Sequence, residues 1–143
     1  MTLNWKRILT FVVVLIATTF VVGFAFGTLA GASMRSGRIA PESFVLIQGL
    51  IVFLVVTLLF LVLGYVQREQ TILHAVAVAV LAWLVSFPLN VLYGKQPLLQ
   101  WALGVIALLL FALLGSGIGM LIRRATAKDD QSSYTGAPPS SSI

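Results

Sequence analysis

Four long apolar runs, residues 8–32, 44–66, 72–93 and 98–122, follow one another along the chain, and none contains an Asp, Glu, Lys or Arg. Each is about 22 to 25 residues long. At about 1.5 Å of rise per residue, a helix of that length crosses the roughly 30 Å hydrocarbon layer of a bilayer with some tilt. Helices of soluble proteins carry a polar face, which these runs lack. The pattern predicts an all-α, integral membrane four-helix up-down bundle with short loops and a disordered C-terminal tail. Residues 1–124 form one transmembrane domain in this reading, and residues 125–143 the tail.

The polar positions punctuate the runs. Trp5, Lys6 and Arg7 precede the first and suit the membrane interface. Residues 33–43 form the longest and most polar connection, and Pro41 with Glu42 reads as the opening turn of the second helix. The connections 67–71 and 94–97 are so short that consecutive helices are expected to be antiparallel neighbours. After Ile122, Arg123 and Arg124 mark the interface. The Ser, Pro, Gly and Asp content beyond them offers too little apolar surface to fold. Lys6 and Arg7 ahead of an apolar run that ends in Ala30, Gly31 and Ala32 also resemble a secretion signal. The run exceeds the usual core of such a signal, so an uncleaved first helix is expected.

Composition sharpens this picture. Hydrophobic residues make up 59% of the 143 residues and charged ones 9%, with a net charge of +5. All nine Lys and Arg lie outside the spans, scattered over five short segments, whereas nucleic-acid binding calls for a clustered basic face. The charge reads instead as a topology signal. Lys6, Arg7, Arg68, Arg123, Arg124 and Lys128 fall on the side of the termini and Arg35, Arg38 and Lys95 on the other, which predicts cytoplasmic termini in a bacterial inner membrane. There is no cysteine, so thiol redox chemistry and cysteine-held metals have no ligands.

Candidate functional residues are few and uncharged. Gly23, Gly27 and Gly31 stand at spacing four on the first helix, which predicts a tight packing face, because helices in lipid associate through close backbone contact. Its partner is another span of the same chain or a second subunit. Gly115 and Gly119 repeat the spacing on the fourth helix, at a different depth. Pro88 lacks the N–H that would bond the Leu84 carbonyl and predicts a kink, with Ser86 and Asn90 near enough to satisfy freed groups. Asn90, Gln48 and Gln100 fall in one half of the bilayer, where they would line a small polar pocket. Thr18, Thr19, Thr57 and Trp83 fall near the midplane. The threonines are expected to bond their own backbone, and Trp83 to fill the core. Trp5, Tyr65, Tyr93 and Trp101 are expected at the interfaces, as is a partly hydrated His74.

The four carboxylates, Glu42, Glu69, Asp129 and Asp130, all lie in connections or the tail, none beside a plausible catalytic or metal-ligand partner, so neither an enzyme nor a cofactor is expected. Small multidrug-resistance exporters are similar in length and span count. They carry a glutamate in the first span, where this chain has Thr18 and Thr19. Dual-topology fluoride channels are faintly similar over residues 27–35, but residues 75–88 hold no polar track like theirs. The expectation is a non-enzymatic accessory or assembly subunit in the lipid bilayer, packing against itself or another membrane protein through its first helix. The alternative is a small oligomeric passive transporter or channel.

Overall fold

The computed structural model describes residues 4–36 and 41–135. Four helices account for nearly all of them: α1 Trp5–Arg35, α2 Pro41–Val66, α3 Thr71–Phe87 and α4 Leu98–Thr135. A π-helical turn, Pro88–Tyr93, continues α3. Four helices are long and apolar enough to cross a membrane, the arrangement of a multi-pass membrane protein. Most of their large apolar side chains point outward, Phe20 and Phe24 at 67% exposure among them. In water such a surface would be a broad apolar patch, whereas in a bilayer it meets hydrocarbon.

The helices form a ring in the order α1, α2, α4, α3. The most extensive contact joins α2 and α4, the next α3 and α4, and α1 leans on both α3 and α2. The expectation that all consecutive helices are neighbours therefore needs correction at one place. α2 and α3, joined by residues 67–70, stand nearly diagonal, and α4 sits between them. Glycine is the reason. A Cβ on Gly115 would collide with the Thr57 carbonyl and lie 2.8 Å from Phe60 Cβ, and one on Gly119 would collide with the Leu61 carbonyl and lie 2.8 Å from Tyr65 N. From the other side, a Cβ on Gly64 would meet Ser116 Cα at 2.7 Å. These two parallel helices touch backbone to backbone, which only glycine permits and which the membrane rewards.

The buried core lies toward the end of the bundle that carries Asn4, residues 67–70 and Arg123, here the near end. Ile8, Val12 and Leu15 of α1 meet Val56, Phe60 and Leu63 of α2, Ala75, Val78, Ala79 and Ala82 of α3, and Ala112 of α4. Beyond Leu15 the only further buried residue described on α1 is Ala30. The backbones of α1 and α4 do not come close to one another among the described residues.

α4 runs on to Thr135, so residues 125–135, placed in the tail from the sequence, are helical. Ala125, Ala127, Lys128 and Gln131 are good helix formers, and no glycine or proline interrupts the chain before Gly136. Residues 136–143 lie outside the described residues, as do 1–3 and 37–40.

Candidate functional site

Pro88 sets the geometry of the far half. Without its N–H the α-helical ladder of α3 cannot continue, and the chain rewinds into wider turns, with Gly94 N–H donating to the Leu89 carbonyl at 3.0 Å and Gln96 N–H to the Asn90 carbonyl at 2.9 Å. The expected kink thus takes the form of a π-helical turn, a feature frequent at functional sites. Ser86 Oγ donates to the Trp83 carbonyl at 2.7 Å. Because the end of α3 is coiled rather than extended, α4 starts low enough for Trp101 to stand beside Trp83.

Those two tryptophans stack, with ring centroids 4.0 Å apart and planes 13° apart. Each indole N–H is engaged: Trp83 Nε1 donates to the Trp101 carbonyl at 2.9 Å, and Trp101 Nε1 to Ser86 Oγ at 3.2 Å. Phe87 meets Trp101 edge-on at 5.0 Å. Trp83 therefore packs inside the bundle as expected from its depth. Trp101, expected at an interface, is half-buried, with its ring stacked on Trp83 and its indole bonded to Ser86.

The stack forms one wall of a half-open cleft of about 640 Å³ between α1 and α4, with α2 behind it. Leu15, Val56 and Phe111 line it toward the middle of the bundle, and Ser86, Asn90 and Gln96 toward the far end. Of the four residues expected to form a polar pocket, Asn90 reaches the cleft, whereas Gln48, Pro88 and Gln100 do not line it. Pro88 and Gln100 are exposed and Gln48 is half-buried elsewhere on α2, so the three amides are not assembled.

The glycines of α1 contrast with those of α4. A Cβ on Gly23 or on Gly27 would meet nothing within 4 Å, and Gly23 borders the cleft. The surroundings of Gly31 lie outside the described residues. The expected packing face on α1 therefore has no close partner among the described residues at these two positions, while Gly115 and Gly119 pack against α2.

A second polar cluster closes the near end. His74, expected to be partly hydrated, is 2% exposed. Asn4 N–H donates to its Nε2 at 3.2 Å, and its Nδ1 lies 3.1 Å from the Gln70 carbonyl, so both ring nitrogens have a backbone partner. Arg7 donates to Gln67 Oε1 at 3.0 Å, and Gln67 Nε2 to the Glu69 carbonyl at 2.7 Å. Arg123 reaches across from α4 to donate to the carbonyls of Gly64, at 3.1 Å, and Gln67. A guanidinium there satisfies the open carbonyls at the C-terminus of α2, whose last turn has no basic residue of its own. At mid-depth, Thr19 bonds its own helix at the Leu15 carbonyl, whereas Thr57 Oγ1 is buried with no partner among the described residues.

No three of His, Asp and Glu gather into a metal-binding group among the described residues. Compared with protein-family models, curated proteins and solved structures, the chain matches none.

Proposed function

We propose that the protein is a non-enzymatic membrane subunit that works by presenting α1 to another transmembrane helix, of a second copy or of another membrane protein. The observation that carries this reading is the open space in front of Gly23 and Gly27. Apolar burial drives little helix association in lipid, so a row of glycines brings its gain only where a second backbone comes close. Exposed Phe20, Val21, Phe24 and Leu29 flank the row and supply the side-chain contacts such a partner would bury. The excess of Lys and Arg on the side of the termini supports cytoplasmic termini in a bacterial inner membrane.

Gly27→Leu tests this directly. Blue-native electrophoresis after mild detergent extraction is expected to show the wild-type chain in a complex and Gly27→Leu at monomer mass; an unchanged complex would overturn the reading. The alternative of a passive path for a neutral solute has one observation in its favour, Asn90 at the cleft. It requires that Asn90→Leu abolish solute flux into vesicles with assembly intact.

A further inference from the structure

The cleft has a length, an opening and a polarity that together point to an occupant. Its walls run from Leu15 to Phe24 on α1 and from Trp101 to Phe111 on α4. At 1.5 Å of rise per residue that is about 15 Å, half the hydrocarbon layer, so the cleft is as deep as one leaflet. It opens sideways, because the backbones of α1 and α4 do not come close to one another among the described residues and both helices expose apolar side chains around the gap. What fills such an opening comes from the bilayer rather than from water. A volume of about 640 Å³ is within the range that holds small-molecule ligands, and the tryptophan pair gives it a wall already fixed by two hydrogen bonds.

Polarity runs in one direction along it. The inner part is apolar but for Thr19, whose hydroxyl bonds its own helix, and Asn90 and Gln96 stand at the far-end mouth. Lys95, exposed and next in sequence to Gln96, does not line the cleft but puts a cation one residue from that mouth. An amide, an amide and an ammonium above an apolar slot one leaflet deep match a phosphate headgroup above an acyl chain.

We infer that the cleft between α1 and α4 binds one phospholipid of the leaflet at the far end, its acyl chain along Trp83, Trp101 and Phe111 and its phosphate at Asn90 and Gln96, with the neighbouring Lys95 supplying the positive charge. The site uses the far-end mouth and the α4 wall. Phe20, Gly23 and Phe24 of the proposed association face also border the cleft, so a partner helix and the lipid would be neighbours there, whereas Gly27 does not line it.

The chain reports on the site itself, since Trp83 and Trp101 line it and Trp5 lies at the opposite end. The full chain carrying Trp5→Phe is reconstituted in vesicles of phosphatidylcholine, which has no net charge, containing increasing fractions of phosphatidylglycerol brominated along its acyl chains, and tryptophan quenching is followed. A bound lipid is expected to give a saturable component at low brominated fraction, above the proportional quenching from surrounding lipid. Gly104→Leu, placed where a Cβ meets nothing within 4 Å on the cleft wall, is expected to fill the slot and remove that component. Ala107→Leu on the same wall is a second filling variant should the first fail to fold. Lys95→Gln is expected to weaken the saturable component about fivefold, the equivalent of one interfacial charge. Gly27→Leu is expected to leave it unchanged, which separates this site from the association proposed for α1. Proportional quenching alone in the wild type, or a saturable component indifferent to both filling variants, would overturn the inference. Loss of the component only on Gly27→Leu would overturn it too, by showing that the cleft is closed by a second helix.

Discussion

Glycines recur at spacing four on both α4 and α1, yet on α4 they stand against backbone and on α1 against open space. The difference lies in what faces them. Opposite Gly115 and Gly119, α2 presents the Thr57 and Leu61 carbonyls and its own Gly64, so both helices give up side chains at one seam. At Gly23 and Gly27 nothing among the described residues comes within 4 Å of where a Cβ would stand. Spacing marks a surface that permits close approach, and only the reciprocal surface shows whether the chain itself uses it. The seam is thus internal architecture, and the α1 row is available for contact between molecules.

The largest expected effect is on the seam. Gly119→Val drives two methyl groups into the backbone of Leu61 and Tyr65 and is expected to lower stability by about 3 kcal/mol or more, read as the midpoint of SDS unfolding from mixed micelles. The matched change on the open row, Gly27→Leu, is expected to leave that midpoint unchanged or to raise it by up to about 1 kcal/mol, since glycine is a poor helix former. Equal losses at both positions would erase the contrast. Arg123→Gln removes the cation at the C-terminus of α2 and is expected to cost about 1.5 to 3 kcal/mol in the same assay, because carbonyls in a half-buried site lose a charged donor.

Smaller effects sharpen the comparison away from the glycines. Trp101→Phe keeps an aromatic ring beside Trp83 but removes the bond to Ser86, and about 1 kcal/mol is expected to be lost in the SDS titration followed by far-ultraviolet circular dichroism. The smallest is a gain. Gln70 stands at φ 50°, and its buried Oε1 has no partner among the described residues, so Gln70→Gly is expected to raise the unfolding midpoint by about 0.5 kcal/mol.

How much of this was legible in the sequence follows from the kind of signal each feature leaves. The four spans, the helix start at Pro41 and the disturbance at Pro88 were readable because charge, chain length and a missing N–H act locally. Ring order was not, since it depends on which helix offers the closest backbone; Gly64 and Gly115 held that answer, but neither spacing says which helix meets which. The buried alanines of α3 were hidden by the alternation Ala75, Val76, Ala77, Val78, Ala79, Val80, which has a period of two and masks the helical row Ala75, Ala79, Ala82. Asn90 lines the cleft, whereas Gln48 and Gln100 share only its depth and not its face. The tryptophan pair escaped because residues equally far from the 94–97 connection would match Trp101 with Asn90; the coiling after Pro88 moves it to Trp83. His74 looked interfacial by depth, and only the return of Asn4 over its ring buries it.

The division of labour between the two glycine rows is tested most directly by measuring stability and association together on Gly27→Leu and Gly119→Val in one lipid composition. The account expects Gly27→Leu to keep the wild-type unfolding midpoint while running at monomer mass on native electrophoresis, and Gly119→Val to unfold early. A Gly27→Leu protein that unfolds early, or that keeps its full complex, would contradict it.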